Sequence, residues 1–377
     1  MSAGRSHSTR RGGRSTEGSR EQGRLERLRP PSRREAPKSS NAAVHAPHKP
    51  GQPPVLAAVD LGTNNCRLLI AVPHGSGFRV IDAFSRIVRL GQGLQSRQEL
   101  STDAMDRTLQ ALKICARKMA KRNVTSSRIV ATEACRKARN CDAFLERVAS
   151  ETDLEIEIIS TDEEASLALA GCLPLLNPEI PNALVFDIGG GSTELVWHRA
   201  HHHDGAQCNG SGALDTISLP FGVVTLSERY GGDRFDRVTY RKMVEESRAA
   251  LDEFETRFGI GSAIRDGQVQ MLGTSGTVTT LAGLHMNLRR YERNRVDGTY
   301  LDFSEMEGIA EHLASVGYRE RAAMPCIGSD RADLVVAGCA ILQGICERWP
   351  VGRLRVADRG LREGILVELL QRILPAE

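Results

Sequence analysis

One pattern constrains the fold of this chain more than any other, because it occurs twice. An apolar run at 55–59 ends on Asp60-Leu61-Gly62-Thr63-Asn64-Asn65 and resumes as apolar residues 66–72. The same grammar returns 127 residues later: an apolar run at 183–186, then Asp187-Ile188-Gly189-Gly190-Gly191-Ser192-Thr193, then 194–197. Short apolar runs flanking a turn of Gly, Asn, Ser and Thr read as strand, tight turn, strand. Two copies at that separation predict an α/β protein of two related domains facing each other across a cleft. A third polar turn, Gly273-Thr274-Ser275-Gly276-Thr277, follows an apolar strand at 269–272 and leads into a helix near 278–286.

Apolar spacing places further helices near 103–122, 141–150, 162–169, 238–258, 304–316, 330–348 and 361–374. Ser101 or Thr102 is positioned to cap the first of these. Short strands are expected at 129–131 and 155–159. The resulting division is a tail over 1–54, a first domain over 55–175 and a second over 176–357. A C-terminal helix within 358–377 is expected to pack back on the first domain.

The tail is rich in Ser, Arg, Gly and Pro and holds too few apolar residues to build a core. Residues 1–50 carry twelve Lys and Arg against four Glu, whereas the whole chain is only +3, so the folded part is mildly acidic. That balance predicts no specific nucleic-acid partner. The tail is expected to be a disordered extension, with a polyanion-attracting arm as its functional alternative. Glu17, Glu21, Glu26 and Glu35 argue against an organelle transit peptide. No stretch of about 18 apolar residues is present, so no membrane partner is expected. Nine dispersed cysteines without a C-x-x-C pair fit a reducing cytoplasm. His201-His202-His203, with His198 nearby, are expected to sit in a solvated loop rather than on a metal.

Each of the three turns follows a buried strand, and small residues there let backbone N–H groups approach an anion. Gly189, Gly190, Gly191 and Gly276 allow close approach. Thr63, Ser192, Thr193, Thr274, Ser275 and Thr277 add hydroxyls, and Asn64 and Asn65 add amides. The joint occurrence points to a phosphate-bearing ligand between two domains. No Gly-Lys dipeptide exists, which excludes the Walker-A phosphate loop. Asp60 and Asp187 stand at the mouths of two turns, where a carboxylate beside a phosphate calls for a cation. Hard oxygen donors with a phosphate partner suit Mg²⁺. Glu194, seven residues after Asp187, can return to the same turn across a hairpin. Glu163 and Glu164 open a helix, where the macrodipole stabilises acids. The functional alternative makes one of them a general base for water.

The strings Ala58-Val59-Asp60-Leu61-Gly62-Thr63-Asn64, Ala131-Thr132-Glu133-Ala134-Cys135-Arg136-Lys137-Ala138-Arg139-Asn140, Asp187-Ile188-Gly189-Gly190-Gly191-Ser192-Thr193-Glu194, Gly273-Thr274-Ser275-Gly276-Thr277 and Gly360-Leu361-Arg362-Glu363-Gly364 occur in that order. Together with Leu219-Pro220-Phe221-Gly222 and Leu226-Ser227-Glu228-Arg229 they resemble the exopolyphosphatase/guanosine pentaphosphate phosphohydrolase family, from about residue 55 to 374. The resemblance implies the fold of the actin, sugar kinase and heat-shock ATPase superfamily: two ribonuclease-H-like domains with the active cleft between them. It implies Mg²⁺-dependent hydrolysis of a terminal phosphoanhydride and a homodimer. Glu164 matches the family's catalytic base. Asp187 and Glu194 match acids that hold the metal or the attacking water. Arg136 matches a phosphate-contacting arginine, and Asn64, Ser192, Thr193 and the 274–277 turn match phosphate-cradling positions.

Three positions depart from the family pattern: Thr161 and Cys326 stand where Gly is usual, and Ser166 where Arg is common. The chain is also expected to lack the appended helical domain of longer relatives. The resulting expectation is a cytoplasmic Mg²⁺-dependent exopolyphosphatase, with guanosine pentaphosphate hydrolysis as its rival. A kinase of the same superfamily and a non-catalytic polyphosphate or alarmone sensor are the other classes carried forward.

Overall fold

Each copy of the repeated pattern folds as an antiparallel hairpin at the heart of its own sheet. The computed structural model describes residues 53–199, 213–231 and 235–373, which belong to one unit spanning 42–377. Most of the tail expected over 1–54 and the histidine tract at 201–203 lie outside the described residues.

The first sheet runs β3-β2-β1-β4-β5, from β1 (Leu56–Leu61), β2 (Asn65–His74), β3 (Gly77–Ile87), β4 (Ser126–Ala131) and β5 (Glu157–Ile158). The second runs β10-β11-β9-β6-β7-β8. Its strands are β6 (Asn182–Ile188), β7 (Thr193–Arg199), β8 (Ala213–Leu219), β9 (Val269–Thr274), β10 (Tyr300–Asp302) and β11 (Arg353–Ala357). In both, three strands meander antiparallel and two more add in parallel beside the first: β4 and β5 on β1, β9 and β11 on β6. This is the ribonuclease-H-like order, twice, as the family resemblance implied; the repeated pattern by itself predicted two related α/β halves. Leu56, Ala57, Ala58 and Val59 are wholly buried, so β1 is covered on both faces and reads as a continuous apolar run.

The helix Thr161–Cys172 joins the halves. Ser160 caps it by accepting the Glu163 N–H at 3.1 Å. Beyond its acidic first turn, it is apolar on nearly every side because it lies between the two sheets. Leu167 packs with Leu361, Ile365, Leu366 and Leu369 of the helix Leu361–Ile373, over β1 and β2. Ala165, Leu169 and Cys172 pack with Val185, Val196 and Leu272 of the second sheet. The two helices touch backbone to backbone: a Cβ on Gly364 would lie 1.9 Å from the Leu167 carbonyl oxygen, and one on Gly171 2.1 Å from that of Gly360.

Several expectations are corrected. The segment expected as one helix over 238–258 is two, Arg237–Ala249 and Asp252–Phe258. The chain turns between them, and both Leu251 and Phe254 are buried in the core. The helix expected from 330 begins only at Val335, leaving 330–334 as turn. β5 has two residues rather than five, and β3 and β8 had no strand signal. Both are edge strands in which neither face is firmly buried, so no apolar alternation marks them. Cys326 adopts φ 68°, the left-handed region in which glycine is unstrained.

Replacing Gly364 with Ala should force the two helices apart and destabilise the protein by on the order of 2 kcal/mol. Urea unfolding would check this; an unchanged midpoint would mean that the contact yields freely.

Candidate active site

The two hairpins have one geometry and opposite chemistry. In each, the residue opposite the strand-ending aspartate lies seven positions downstream: Asp60 faces Arg67, and Asp187 faces Glu194. Side chains of directly paired residues share a face. The same turn therefore delivers an acid with a cation in one half and two acids in the other.

The turns meet across the cleft. A Cβ on Gly190 would lie 3.0 Å from the Thr63 Cβ and 3.2 Å from the Asn64 amide nitrogen; one on Gly191 would lie 2.6 Å from Thr63 Oγ1. Glycine is required here for the halves to approach. Where they meet, a pocket of about 60 Å³ is lined by Asp60, Thr63, Asn64, Asn65, Arg67, Glu133, Glu164, Asp187, Gly189, Gly190, Gly191, Ser192 and Ser275, among others. Asn64 is 7% exposed, yet its Oδ1 has no hydrogen-bond partner, and the same holds for the buried Oδ1 of Asn65. A buried amide left open at a pocket wall fits a site that receives a polar ligand.

The adjacent acids Glu163 and Glu164 part company. Glu163 turns to Arg128, which also holds Glu157 and Glu368 and so clamps the helix start against β4 and the C-terminal helix. Glu164 turns into the pocket, where Arg136 Nη2 donates to its Oε2 at 2.8 Å. The other Arg136 donors hold the Ile159 carbonyl at 2.9 Å and Glu133 at 3.2 Å.

The acids crowd one another. Burial pushes the Glu164 carboxyl well above the ordinary range; Glu194 and Asp187 push it further, and Arg136 restrains it. Glu194 rises to about 7, chiefly by burial and then by Asp187, against hydrogen bonds from Ser192 and Ser218 and the pull of Arg136. Asp187 rises to about 6 by burial and the nearby Asp60, against Arg67, a Ser275 hydrogen bond and Arg362. Asp60 is raised by burial, with Arg67 and Arg362 opposing. Such a set accommodates a cation, because each ionised acid gains from it. Among the described residues no three His, Cys, Asp or Glu side chains group closely enough to cage a metal. The expected set of Asp60, Asp187 and Glu194 is therefore not a cage: Asp60 stands in the other half, opposite Arg67. The donor chemistry fits Mg²⁺ held by one or two carboxylates, waters and a phosphate.

Not every expected residue faces this pocket. Thr193 is fully buried, and its hydroxyl donates to the Phe221 carbonyl at 2.9 Å. Strand alternation puts it on the face opposite Glu194. The Thr274 hydroxyl is engaged at 2.5 Å by the Arg359 carbonyl. Thr277 lies against the helix Val335–Arg348, where a Cβ on Gly338 would meet its Oγ1 at 2.3 Å, and it lines a neighbouring pocket with Gly276. Arg136, expected on phosphate, has its guanidinium committed to Glu133, Glu164 and the Ile159 carbonyl.

The cations that do line the cleft carried no assigned role in the sequence, although Arg362 lies within the 360–364 motif. Arg67 and Ser275 line the small pocket and two neighbours. One neighbour carries Arg331 and residues 275–277 and has no carboxylate. The other, about 420 Å³, mixes Arg67, Arg293, Arg331 and Arg362 with Asp60, Asp187, Asp358 and Tyr291. Glu133 was also missed. Arg67 was findable by counting seven residues from Asp60; Arg331 and Arg362 were not, because long-range folding brings them in. Ser275 holds φ 81°, an uncommon backbone for a non-glycine residue, at the start of the helix Ser275–His285.

The model of the Ppx/GppA phosphatase family matches residues 69–373. The crystal structure of the Aquifex aeolicus member of that family is 28% identical, covering 86% of this chain and 99% of that one, with TM-score 0.70. An exopolyphosphatase-like protein is 27% identical, covering 85% and 99%, with TM-score 0.76. An exopolyphosphatase from Cytophaga hutchinsonii, 24% identical over 84% and 98%, shares the fold with TM-score 0.71.

Folding raises the pKa of Glu194, so its uncharged form is favoured. The stability it lends is complete below about pH 4 and is lost as the pH rises through about 7. Glu194→Gln should therefore raise the thermal midpoint of the divalent-free protein by roughly 5 °C at pH 8 and by less than about 1 °C at pH 4. Added Mg²⁺ should stabilise the wild type at pH 8 but not at pH 4. A shift independent of pH would contradict the crowding of these acids.

Proposed function

This chain belongs to the Ppx/GppA phosphatase family, and from that premise and the cleft geometry we propose that it hydrolyses a terminal phosphoanhydride to release orthophosphate, with inorganic polyphosphate as the substrate. One observation carries the reading: a carboxyl of raised pKa, Glu164, stands in the same small pocket as the glycine turns that approach from the opposite half.

In this reading the terminal phosphoryl group sits between Asn64 and the 189–192 turn. Glu164 orients a water and accepts its proton, while Arg136 fixes the carboxyl's direction and keeps it from staying protonated. Arg67 offsets charge on the transferred group, which suits a reaction needing positioning and neutralisation more than covalent help. Asp187 and Glu194 would hold Mg²⁺, directly or through water. When bound, the ion supplies further neutralisation of phosphate oxygens. Polyphosphate stands first because the next pocket offers Arg331 and the N-terminal end of a helix without any carboxylate, so following phosphates meet positive potential. The wider cavity supports a second reading, guanosine pentaphosphate. Tyr291 offers a ring face there, and Asp358, 2.6 Å from its hydroxyl, offers an acceptor to base N–H groups.

Glu164→Gln should lower phosphate release by about 10²- to 10⁴-fold while leaving substrate binding intact. Near-wild-type turnover would remove the base assignment. Turnover of polyphosphate and guanosine pentaphosphate measured side by side with Mg²⁺ decides the substrate, and activity on the nucleotide alone would put guanosine pentaphosphate in the place of polyphosphate.

Arg136 lowers the Glu164 pKa, so Arg136→Met should raise it further and move the acidic limb of the kcat/KM profile to higher pH. An unmoved limb would mean that another group titrates.

A further inference from the structure

Two polar contacts outside the pocket tie the halves together. Arg89, just beyond β3, directs a two-pronged guanidinium at Asp333, Nη1 to Oδ2 at 2.7 Å and Nη2 to Oδ1 at 3.1 Å. Nη2 also donates to the Asp330 carbonyl at 3.2 Å. Nearby, the Gly93 N–H donates to Glu228 Oε1 at 2.9 Å.

The strap that carries these contacts, residues 88–93, grips a phosphate-facing turn. The Val88 and Arg89 amides donate to the Asn64 carbonyl at 2.9 and 3.0 Å, and the Gly91 amide donates to that of Thr63 at 2.9 Å. Arg89 holds φ 50°, a left-handed conformation uncommon for a long side chain, which these contacts over-determine. On the far side, Asp333 is two residues from Arg331, and its carbonyl accepts the Ser227 hydroxyl at 2.9 Å. Ser227 and Glu228 belong to the helix Val223–Arg229, whose first amides donate to the Gly189 and Gly190 carbonyls at 2.9 and 2.8 Å. The strap thus holds one turn directly and reaches both the glycine turn and the Arg331 segment of the opposite half.

We infer that Arg89 and Asp333 form a positioning pair that keeps the cleft closed, so that Asn64, the 189–192 turn and Arg331 face one bound anion. The pair is partly solvated, its side chains 31% and 21% exposed, so it is breakable. A ligand bridging the halves supplies the same closing force once bound. Losing the pair therefore lowers the population of the binding-competent state, weakening apparent affinity without slowing turnover at saturation. The kinetic part of this inference rests on the phosphatase reading; the part on closure does not.

The test uses the full chain with Asp333→Asn and the conservative Asp333→Glu. With polyphosphate, Asp333→Asn should raise KM by about five- to tenfold with kcat within about twofold, and Asp333→Glu should keep KM near wild type. In the ligand-free protein, amide hydrogen exchange over 88–98 should quicken by at least about threefold in Asp333→Asn and slow again when polyphosphate is added. Unchanged exchange overturns the closure role. A fall in kcat at constant KM overturns the positioning role and assigns the pair to chemistry or folding. Absence of turnover in the wild type would strike the phosphatase reading alone, and exchange would still decide the latch.

Discussion

Like-charged acids drawn into one poorly solvated cleft are the constraint on which this structure turns. Asp60, Asp187, Glu194 and Glu164 each resist ionisation where they stand, and burial is the leading cause in every case. Arg67, Arg136 and Arg362 oppose that resistance without cancelling it. The balance leaves a site that gains from added positive charge.

The duplication of the hairpin makes the asymmetry possible. One spacing, aspartate to seventh residue, puts Arg67 beside Asp60 in the first half and Glu194 beside Asp187 in the second. Backbone geometry is reused and only the returning side chain differs. The pocket between the halves is then lined by Arg67 beside Asp60 from the first half and by Asp187 from the second.

Core packing reaches the chemistry through one helix. Thr161–Cys172 lies between the sheets, wedged by glycine contacts against the C-terminal helix, and it carries Glu164 at its first turn. Arg128 draws Glu163 outward to Glu157 and Glu368, leaving Glu164 to the pocket. The strap over 88–93 works at the other side of the same problem, since it holds the Thr63–Asn64 turn while touching the opposite half. Two packing devices thus decide where a few polar atoms stand.

Local pattern in the sequence sufficed for the two α/β halves, the three polar turns and the helix that carries Glu164, and it left the cap of the helix Thr102–Lys121 to Ser101 or Thr102, of which the fold uses Ser101. Each rests on short-range periodicity or turn chemistry, which depends on neighbours in the chain. Edge strands β3 and β8 escaped because neither face of them is firmly buried, so no apolar alternation marks them. The family resemblance named Glu164, but the reason that Glu163 and Glu164 part needed the fold, because Arg128 and Arg136 draw them from different elements. So did the inward turn of Thr193, the capture of Arg136 by Glu133 and Glu164, and the arrival of Arg331 and Arg362 from more than 260 residues beyond Asp60. Residue types and turns are local properties of the chain; which charges share a desolvated space is decided only when distant elements pack together.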